Sequence, residues 1–212
     1  RYIADRASEW IKSRKSNDRP FFLMVSFPDP HHPFSPPGKY WNMYKPEEMP
    51  VPNAFEANDW EAPEYVRIAE RARSKDKSLG QKSGYSIAVS KKEAQEARAL
   101  TCGMVTMIDD AIGAVRKALS GGTFLNNTVQ IFTSDHGDHL GDHKLLFKGA
   151  EQYDSITHVP FIWADPEGPE SKRTEDLAQT HDIGTTILER ANIEAADGMQ
   201  GKILSFAGGQ PR

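Results

Sequence analysis

The sequence has little of several features that would assign it quickly to a class of protein. It contains a single cysteine, Cys102, in 212 residues, so no internal disulfide framework holds it together. No apolar run approaches the ~20 residues of a membrane-spanning helix. The formal net charge is only −4, and no run of Lys and Arg forms a nucleic-acid footprint. What remains is a globular chain, long enough to bury roughly 70% of its unfolded surface.

Helical and fully apolar segments alternate along the chain. The spacing of apolar residues predicts helices over 2–15 and from about Lys91 to Gly121-Gly122, and Asp182 is the predicted N-cap of a third helix. Apolar, β-branched and aromatic runs predict buried strands, at 21–27, 128–133 and 158–164. Such alternation is typical of an α/β fold, so we predict a mainly parallel sheet flanked by helices.

Between the first predicted strand and the long helix the pattern disappears. Residues 28–63 hold most of the prolines and several aromatics, and residues 64–90 are polar, with a flexible bend predicted at S-L-G-Q-K-S-G-Y, 78–85. We therefore interpret 28–90 as an irregular region that forms substrate loops, because long loops of this kind are usually functional or disordered.

A dense group of polar residues follows the predicted strand 128–133. The stretch T-S-D-H-G-D-H-L-G-D-H-K-L-L-F-K, 133–148, carries three Asp, three His and two Lys. Asp135 and His136 come first, at the strand end where parallel sheets collect ligands, and they supply an oxygen and a nitrogen for a metal. Two ligands bind a metal weakly, so others must come from elsewhere. Two positive charges, Lys148 and a bound cation, are stable side by side when an anion lies between them. Lys148 therefore indicates an oxyanion substrate.

A second candidate is F-P-D-P-H-H-P-F-S-P-P, 27–37, which also follows a predicted strand. Its prolines fix the backbone around His31 and His32 and so lower the entropic cost of aiming an imidazole. A histidine at this edge can donate a proton to a departing alkoxide, or hold an anion as imidazolium. We expect both strand ends to present their histidines to a common edge of the sheet.

Several segments, taken in order, resemble the type I sulfatases of the alkaline phosphatase superfamily and the related phosphonate monoester hydrolases. R-P-F-F-L-M-V-S-F-P-D-P-H-H-P-F-S-P-P is similar to the family's strand and Pro-His-x-Pro loop, and M-V-T-M-I-D-D-A-I-G to the helix before its metal-binding strand. I-F-T-S-D-H-G-D-H-L-G-D-H-K-L-L-F-K is similar to the block that carries the metal ligands and a lysine.

Three downstream segments extend the resemblance: T-H-V-P-F-I-W, H-D-I-G-T-T-I-L-E-R-A-N-I and M-Q-G-K-I-L-S-F. About three quarters of the chain is covered, with the region 45–95 unmatched, and the ordered set is far more specific than any one piece.

The resemblance assigns roles to individual positions. It implies that Asp135 and His136 ligate a divalent cation, usually Ca²⁺ in sulfatases, or Mn²⁺ or Zn²⁺ in a phosphonate hydrolase. It implies that Lys148 binds the sulfate and stabilises the leaving oxygen, and that His31 contacts the sulfate or protonates the leaving group. His143 is a candidate substrate-binding residue.

Two histidines of these motifs receive no such role. His32 falls at the variable position of the Pro-His-x-Pro loop. His139 is interpreted as a solvated loop residue, with a position close to the substrate as the alternative.

The family's nucleophile is a formylglycine made within Cys-x-Pro-Ser-Arg or a close variant. Cys102, in T-C-G-M-V-T, does not fit that motif. Both ends of the chain read as interior sequence. We therefore expect residues 1–212 to be the central to C-terminal part of a single sulfatase-type catalytic domain, without the N-terminal strands, the formylglycine and two further metal-ligating aspartates, and inactive alone. The implied substrate is a small-molecule or saccharide sulfate ester, and the family favours a periplasmic or secreted location.

Two other functions stay open. A phosphonate monoester or phosphodiester hydrolase would share the metal pair and the lysine. A degenerate binding module for a metal or an anion, lacking the nucleophile by nature, would not be an enzyme.

Overall fold

A computed structural model describes residues 1–15, 18–57, 61–75, 86–122, 124–168, 173–207 and 209. The described helices are α1 (Tyr2–Ser13), α2 (Asn53–Glu56), α3 (Glu64–Lys75), α4 (Lys91–Ser120), α5 (Asp154–Thr157) and α6 (Thr180–Arg190). The described strands are β1 (Ile87–Ala88), β2 (Gln130–Thr133), β3 (Leu145–Leu146) and β4 (Phe161–Ala164). Within these ranges no helix is long and apolar enough to cross a membrane.

The chain divides into two compact units. The first consists of Arg1–Leu125 and His136–Val159, and the second of Asn126–Asp135 and Pro160–Arg212. The boundary falls between Asp135 and His136, inside the polar stretch that follows β2. Each unit is therefore described by itself.

Helix α4 is the longest element of the first unit, and it begins with a capping box. The Ser90 backbone N–H donates to the Glu93 carboxylate at 2.8 Å, while the Glu93 N–H donates to the Ser90 hydroxyl at 3.3 Å. Near the other end of α4, Ala118 and Leu119 pack against Ile11 of α1. The predicted helices over 2–15 and from Lys91 to the Gly121-Gly122 pair are confirmed.

A loop after the Pro-His-His-Pro segment crosses α4 at Gly103. A Cβ on Gly103 would lie 2.3 Å from the Tyr40 carbonyl oxygen and 3.3 Å from Cγ of Pro36. The Asp110 carboxylate accepts hydrogen bonds from Lys39 Nζ at 2.9 Å and from the Tyr40 hydroxyl at 2.6 Å. The missing side chain thus lets the loop backbone lie directly on the helix.

Replacing Gly103 by alanine should lower the melting temperature. The added methyl group overlaps a backbone carbonyl, and overpacking of this kind costs about 1–3 kcal/mol. The control is Gly113→Ala in the same helix, where nothing lies within 4 Å of the new Cβ, so helix propensity should stabilise the protein by up to about 1 kcal/mol. Equal effects of the two changes on thermal unfolding would contradict this packing.

The strand predicted at 21–27 is not formed, and none of the described strands pairs with these residues. Their side chains alternate: Phe21 and Leu23 pack on the α1–α4 core, whereas Phe22 and Met24 are 73% and 77% exposed. The uniformly apolar run was interpreted as buried on both faces, whereas only one face is covered here.

Both described strand pairs are antiparallel. In the first unit β1 pairs with β3, with Ile87 opposite Leu146. In the second unit β2 pairs with β4, with Ile131 opposite Trp163. The sequence predicts a mainly parallel sheet, whereas these two strand pairs are antiparallel. None of the described strands has a parallel strand beside it. The predicted strands at 128–133 and 158–164 are present but shorter, and β4 begins only after Pro160, which has no N–H to donate.

The region 28–90 is less irregular than predicted, because 64–75 forms the 12-residue helix α3. Its sequence is polar, yet the Ala, Glu and Arg residues are good helix formers, and Val66 is buried. The predicted bend at 78–85 lies outside the described residues.

The N-cap of helix α6 in the second unit lies three residues before the predicted one. Gln179 is the N-cap, and Asp182 occupies the third helical position, where its carboxylate accepts from the Gln179 N–H at 2.8 Å. The other oxygen of Asp182 accepts from the Lys202 N–H at 2.8 Å. Asp182 is thus buried as the centre of a hydrogen-bond network, and it caps the helix from within the first turn rather than from before it.

Candidate active site

The stretch after His136 folds back on itself as a tight loop. The Gly137 N–H donates to the Ile156 carbonyl at 2.7 Å, and the His139 N–H to the Phe147 carbonyl at 2.9 Å. A Cβ on Gly137 would lie 2.0 Å from the Ser155 carbonyl oxygen. Glycine is therefore required for the close approach that brings the start and the end of this stretch side by side.

The two histidines of the Pro-His-His-Pro loop meet the end of this stretch. The rings of His31 and His32 are 4.0 Å apart between centroids, and the His32 ring lies 4.4 Å from that of Phe147. Nδ1 of His31 donates to the His32 carbonyl at 2.6 Å. That bond leaves Nε2 of His31, whose side chain is exposed, as the nitrogen directed away from its own backbone.

Lys148 lies beside an acidic residue of the same loop. Its Nζ is 3.8 Å from Oδ2 of Asp138, and both side chains are largely buried. Burial lowers the pKa of His32, the positive charges of His31 and Lys148 lower it further, and Asp138 raises it. Two segments that are far apart in sequence therefore share one electrostatic environment, which we call the anion site: His31, His32, Asp138 and Lys148.

His143 belongs to a neighbouring group of rings in the same unit. Its ring stacks on Tyr153 with centroids 4.3 Å apart, and its Nδ1 lies 3.1 Å from Oδ2 of Asp142. The Tyr153 hydroxyl contacts the Tyr65 hydroxyl from α3. The sequence points to neither tyrosine, because α3, which carries Tyr65, is not predicted, and Tyr153 lies in a segment without periodicity. The contact between them joins residues far apart in the chain.

His139 is buried, with 1% of its surface exposed, so its interpretation as a solvated loop residue is wrong. The backbone bond from its N–H to Phe147 turns the side chain inward, and Nδ1 lies 3.2 Å from the Ser155 hydroxyl. Its Nε2 is buried without a hydrogen-bond partner among the described residues. Burial lowers the pKa of His139 below its ordinary value of 6.5.

Acid should destabilise the protein partly through His139. Its pKa is lowered in the folded state, so the unfolded chain takes up this proton first as pH falls below about 6.5, and stability is lost by up to ~1.4 kcal/mol per pH unit. His139→Gln should reduce the slope of melting temperature against pH between about pH 7 and pH 5. His158→Gln, at an exposed histidine, should leave the slope unchanged. A slope unaffected by His139→Gln would contradict the assignment.

The two predicted metal ligands are both exposed. Asp135 closes the first stretch of the second unit, with Oδ1 3.4 Å from the Ser134 hydroxyl. In the first unit, Nδ1 of His136 donates to the Gly137 carbonyl at 2.8 Å, and this bond fixes the orientation of the ring. Such a backbone hydrogen bond is the usual way of orienting a metal-binding imidazole. Among the described residues no group of three or more His, Cys, Asp or Glu could hold a metal.

Solved structures place this fold in a known class. The phosphonate monoester hydrolase of Agrobacterium radiobacter superposes with a TM-score of 0.78 at 27% identity, covering 99% of this chain and 42% of that one. A 2-O glycosaminoglycan sulfatase, BT1596, superposes with a TM-score of 0.73 at 21% identity over 99% of this chain and 45% of that one. The fold is that of the alkaline phosphatase superfamily.

The family within that class is shown by sequence. A model of the sulfatase family matches residues 1–193, and the chain belongs to that family. An arylsulfatase of Clostridium perfringens is 36% identical over 207 residues, which is 96% of this chain and 40% of the relative. A multifunctional alkaline phosphatase superfamily protein, PehA of Trinickia caryophylli, is 32% identical over 96% of this chain and 40% of its own length. The chain thus spans about 40% of these relatives.

Proposed function

We propose that the protein, at its natural length, hydrolyses sulfate esters, and that this chain supplies the groups that receive the leaving oxygen. The observation that carries the proposal is the packing of the His31–His32 pair on Phe147, the residue directly before Lys148, in a chain that belongs to the sulfatase family. An imidazole and an ammonium on two loops in contact suit an anion whose ester oxygen gains negative charge as it departs.

In this mechanism His31 is the proton donor. Because the Nδ1 proton is held by the His32 carbonyl, His31 would transfer the second proton of its imidazolium form, which is carried on Nε2, and would be left as the neutral ring. Lys148 stabilises the charge on the same oxygen, and Asp138 holds the ammonium from the other side. His143 is proposed to contact the substrate from the neighbouring ring group.

Asp135 and His136 are the proposed ligands of a divalent cation, most simply Ca²⁺. A carboxylate oxygen and an oriented imidazole Nε2 fit such a cation, although further ligands must come from outside the described residues. When bound, the cation would neutralise charge on the transferred group. The nucleophile in this proposal is a formylglycine that this chain does not contain, since Cys102 lies inside α4 and outside any modification motif.

A phosphonate monoester or phosphodiester hydrolase is the second candidate, with Mn²⁺ or Zn²⁺ as the cation. It is favoured by one observation, the TM-score of 0.78 to the Agrobacterium phosphonate monoester hydrolase. The same lysine, histidine and metal pair would serve either reaction, because both release an alcohol from a tetrahedral oxyanion.

The test is turnover by the protein of natural length. Para-nitrophenyl sulfate should be hydrolysed with a higher kcat/KM than the para-nitrophenyl ester of phenylphosphonic acid, and a peptide mass map should reveal a formylglycine. The reverse order of kcat/KM supports the second candidate. Absence of turnover with both esters, in a preparation that contains metal and formylglycine, would refute both enzyme functions and leave the binding module.

A further inference from the structure

The Asp138 carboxylate lies next to the lysine that the proposed function assigns to the leaving oxygen. The two side chains are 17% and 18% exposed, and the ion pair is long, at 3.8 Å. The other carboxylate oxygen, Oδ1, is buried and has no hydrogen-bond donor within the described part of the chain. A carboxylate with few donors around it keeps a strong negative field, because neither water nor hydrogen bonds disperse its charge.

That field reaches the imidazoles around the anion site. Asp138 raises the pKa of both His32 and His139, against the effect of burial at each. The backbone hydrogen bonds of Gly137 and His139, on either side of Asp138, hold it in a fixed loop. Asp138 is therefore a rigidly placed negative charge at the anion site.

The charge balance at this place has a chemical consequence. Asp138 offsets the positive charge of Lys148, and it would do so equally with a divalent cation bound at Asp135 and His136, whose charge is the same in wild type and variants. Sulfate monoesters, phosphonate monoesters and phosphate diesters carry one negative charge on the transferred group, and a phosphate monoester carries between one and two near neutral pH. A nearby fixed carboxylate disfavours each additional negative charge.

We propose that Asp138 is a positioning residue that holds the Lys148 ammonium and, through its own charge, biases the anion site towards singly charged groups. The favoured substrates are then sulfate monoesters and the singly charged phosphorus esters, and the disfavoured class is phosphate monoesters. This inference rests on the proposed function, since it concerns the same site.

The experiment compares two inert anions of the same shape that differ by one charge. Benzenesulfonate carries one charge, and phenylphosphonate carries two at mildly alkaline pH. Binding of each to the metal-loaded protein of natural length is measured by calorimetry for the wild type, Asp138→Asn and Asp138→Glu. Asp138→Asn should shift the ratio of the two affinities about tenfold towards phenylphosphonate, whereas Asp138→Glu, which keeps the charge, should retain the wild-type ratio.

The same ratio in all three proteins would overturn the inference, and so would a wild type that binds neither anion. A role in folding alone would weaken both anions equally and would leave the ratio unchanged. The proposed function can fail while this inference stands. In that case the wild type prefers benzenesulfonate and Asp138→Asn loses the preference, but the wild type hydrolyses no ester.

Discussion

Replacing Asp135 by alanine should abolish metal-dependent ester hydrolysis by the protein of natural length. We expect kcat/KM for para-nitrophenyl sulfate to fall about 1,000-fold or more, since a catalytic cation supplies several kcal/mol of transition-state stabilisation. The carboxylate is a hard oxygen ligand, exposed at the end of β2, so its removal takes away charge as well as one coordination position. The purified variant should also contain less than one tenth of the wild-type metal by mass spectrometry, a readout that does not depend on turnover.

The control is Asp109→Ala, which removes an exposed carboxylate from α4 and should leave both metal content and turnover near the wild-type values. A high concentration of added Ca²⁺ should restore part of the activity of Asp135→Ala if His136 still binds. Near-normal metal content together with near-normal turnover in Asp135→Ala would remove Asp135 from the metal site.

Local signals in the sequence were sufficient for the long helices. The apolar residues of α1 and of α4 recur at spacings of three or four positions, so both helices could be predicted from short-range patterns. Helix α3 is not predicted, because its composition is polar and a polar segment without apolar periodicity is typical of a loop. Residues 21–27 show the opposite error, since an apolar run does not say how many of its faces are covered.

The sequence predicts the two motifs of the candidate site, but it does not predict how their side chains are arranged in space. The sequence contains no signal that His32 should stack on Phe147, or that Asp138 should face Lys148. Those contacts depend on Gly137 lying against Ser155, a packing between segments that only the folded loop reveals. The motifs therefore indicate the expected ligands, but they do not indicate that Asp138 lies beside Lys148.

Replacing Lys148 by alanine should lower kcat for para-nitrophenyl sulfate by about 100- to 1,000-fold, the usual cost of removing one preorganised donor from a developing oxyanion. The loss should be larger for phenyl sulfate, because the less acidic phenol departs with more charge on its oxygen and needs the ammonium more. Steady-state kinetics with both esters measures this difference. Lys92→Ala, at an exposed lysine of α4, is the matched control and should change neither rate.

The same substitution should also reduce stability, and the two effects can be separated. Without Lys148 the largely buried Asp138 carboxylate loses its ion-pair partner, and an uncompensated charge of this kind is strongly destabilising. Adding Asp138→Asn to Lys148→Ala should raise the melting temperature towards the wild-type value while kcat stays low. Recovery of kcat together with stability would mean that Lys148 serves the fold and not the leaving oxygen. Equal losses for both esters would place the ammonium on the transferred group instead, because charge there depends far less on the departing phenol.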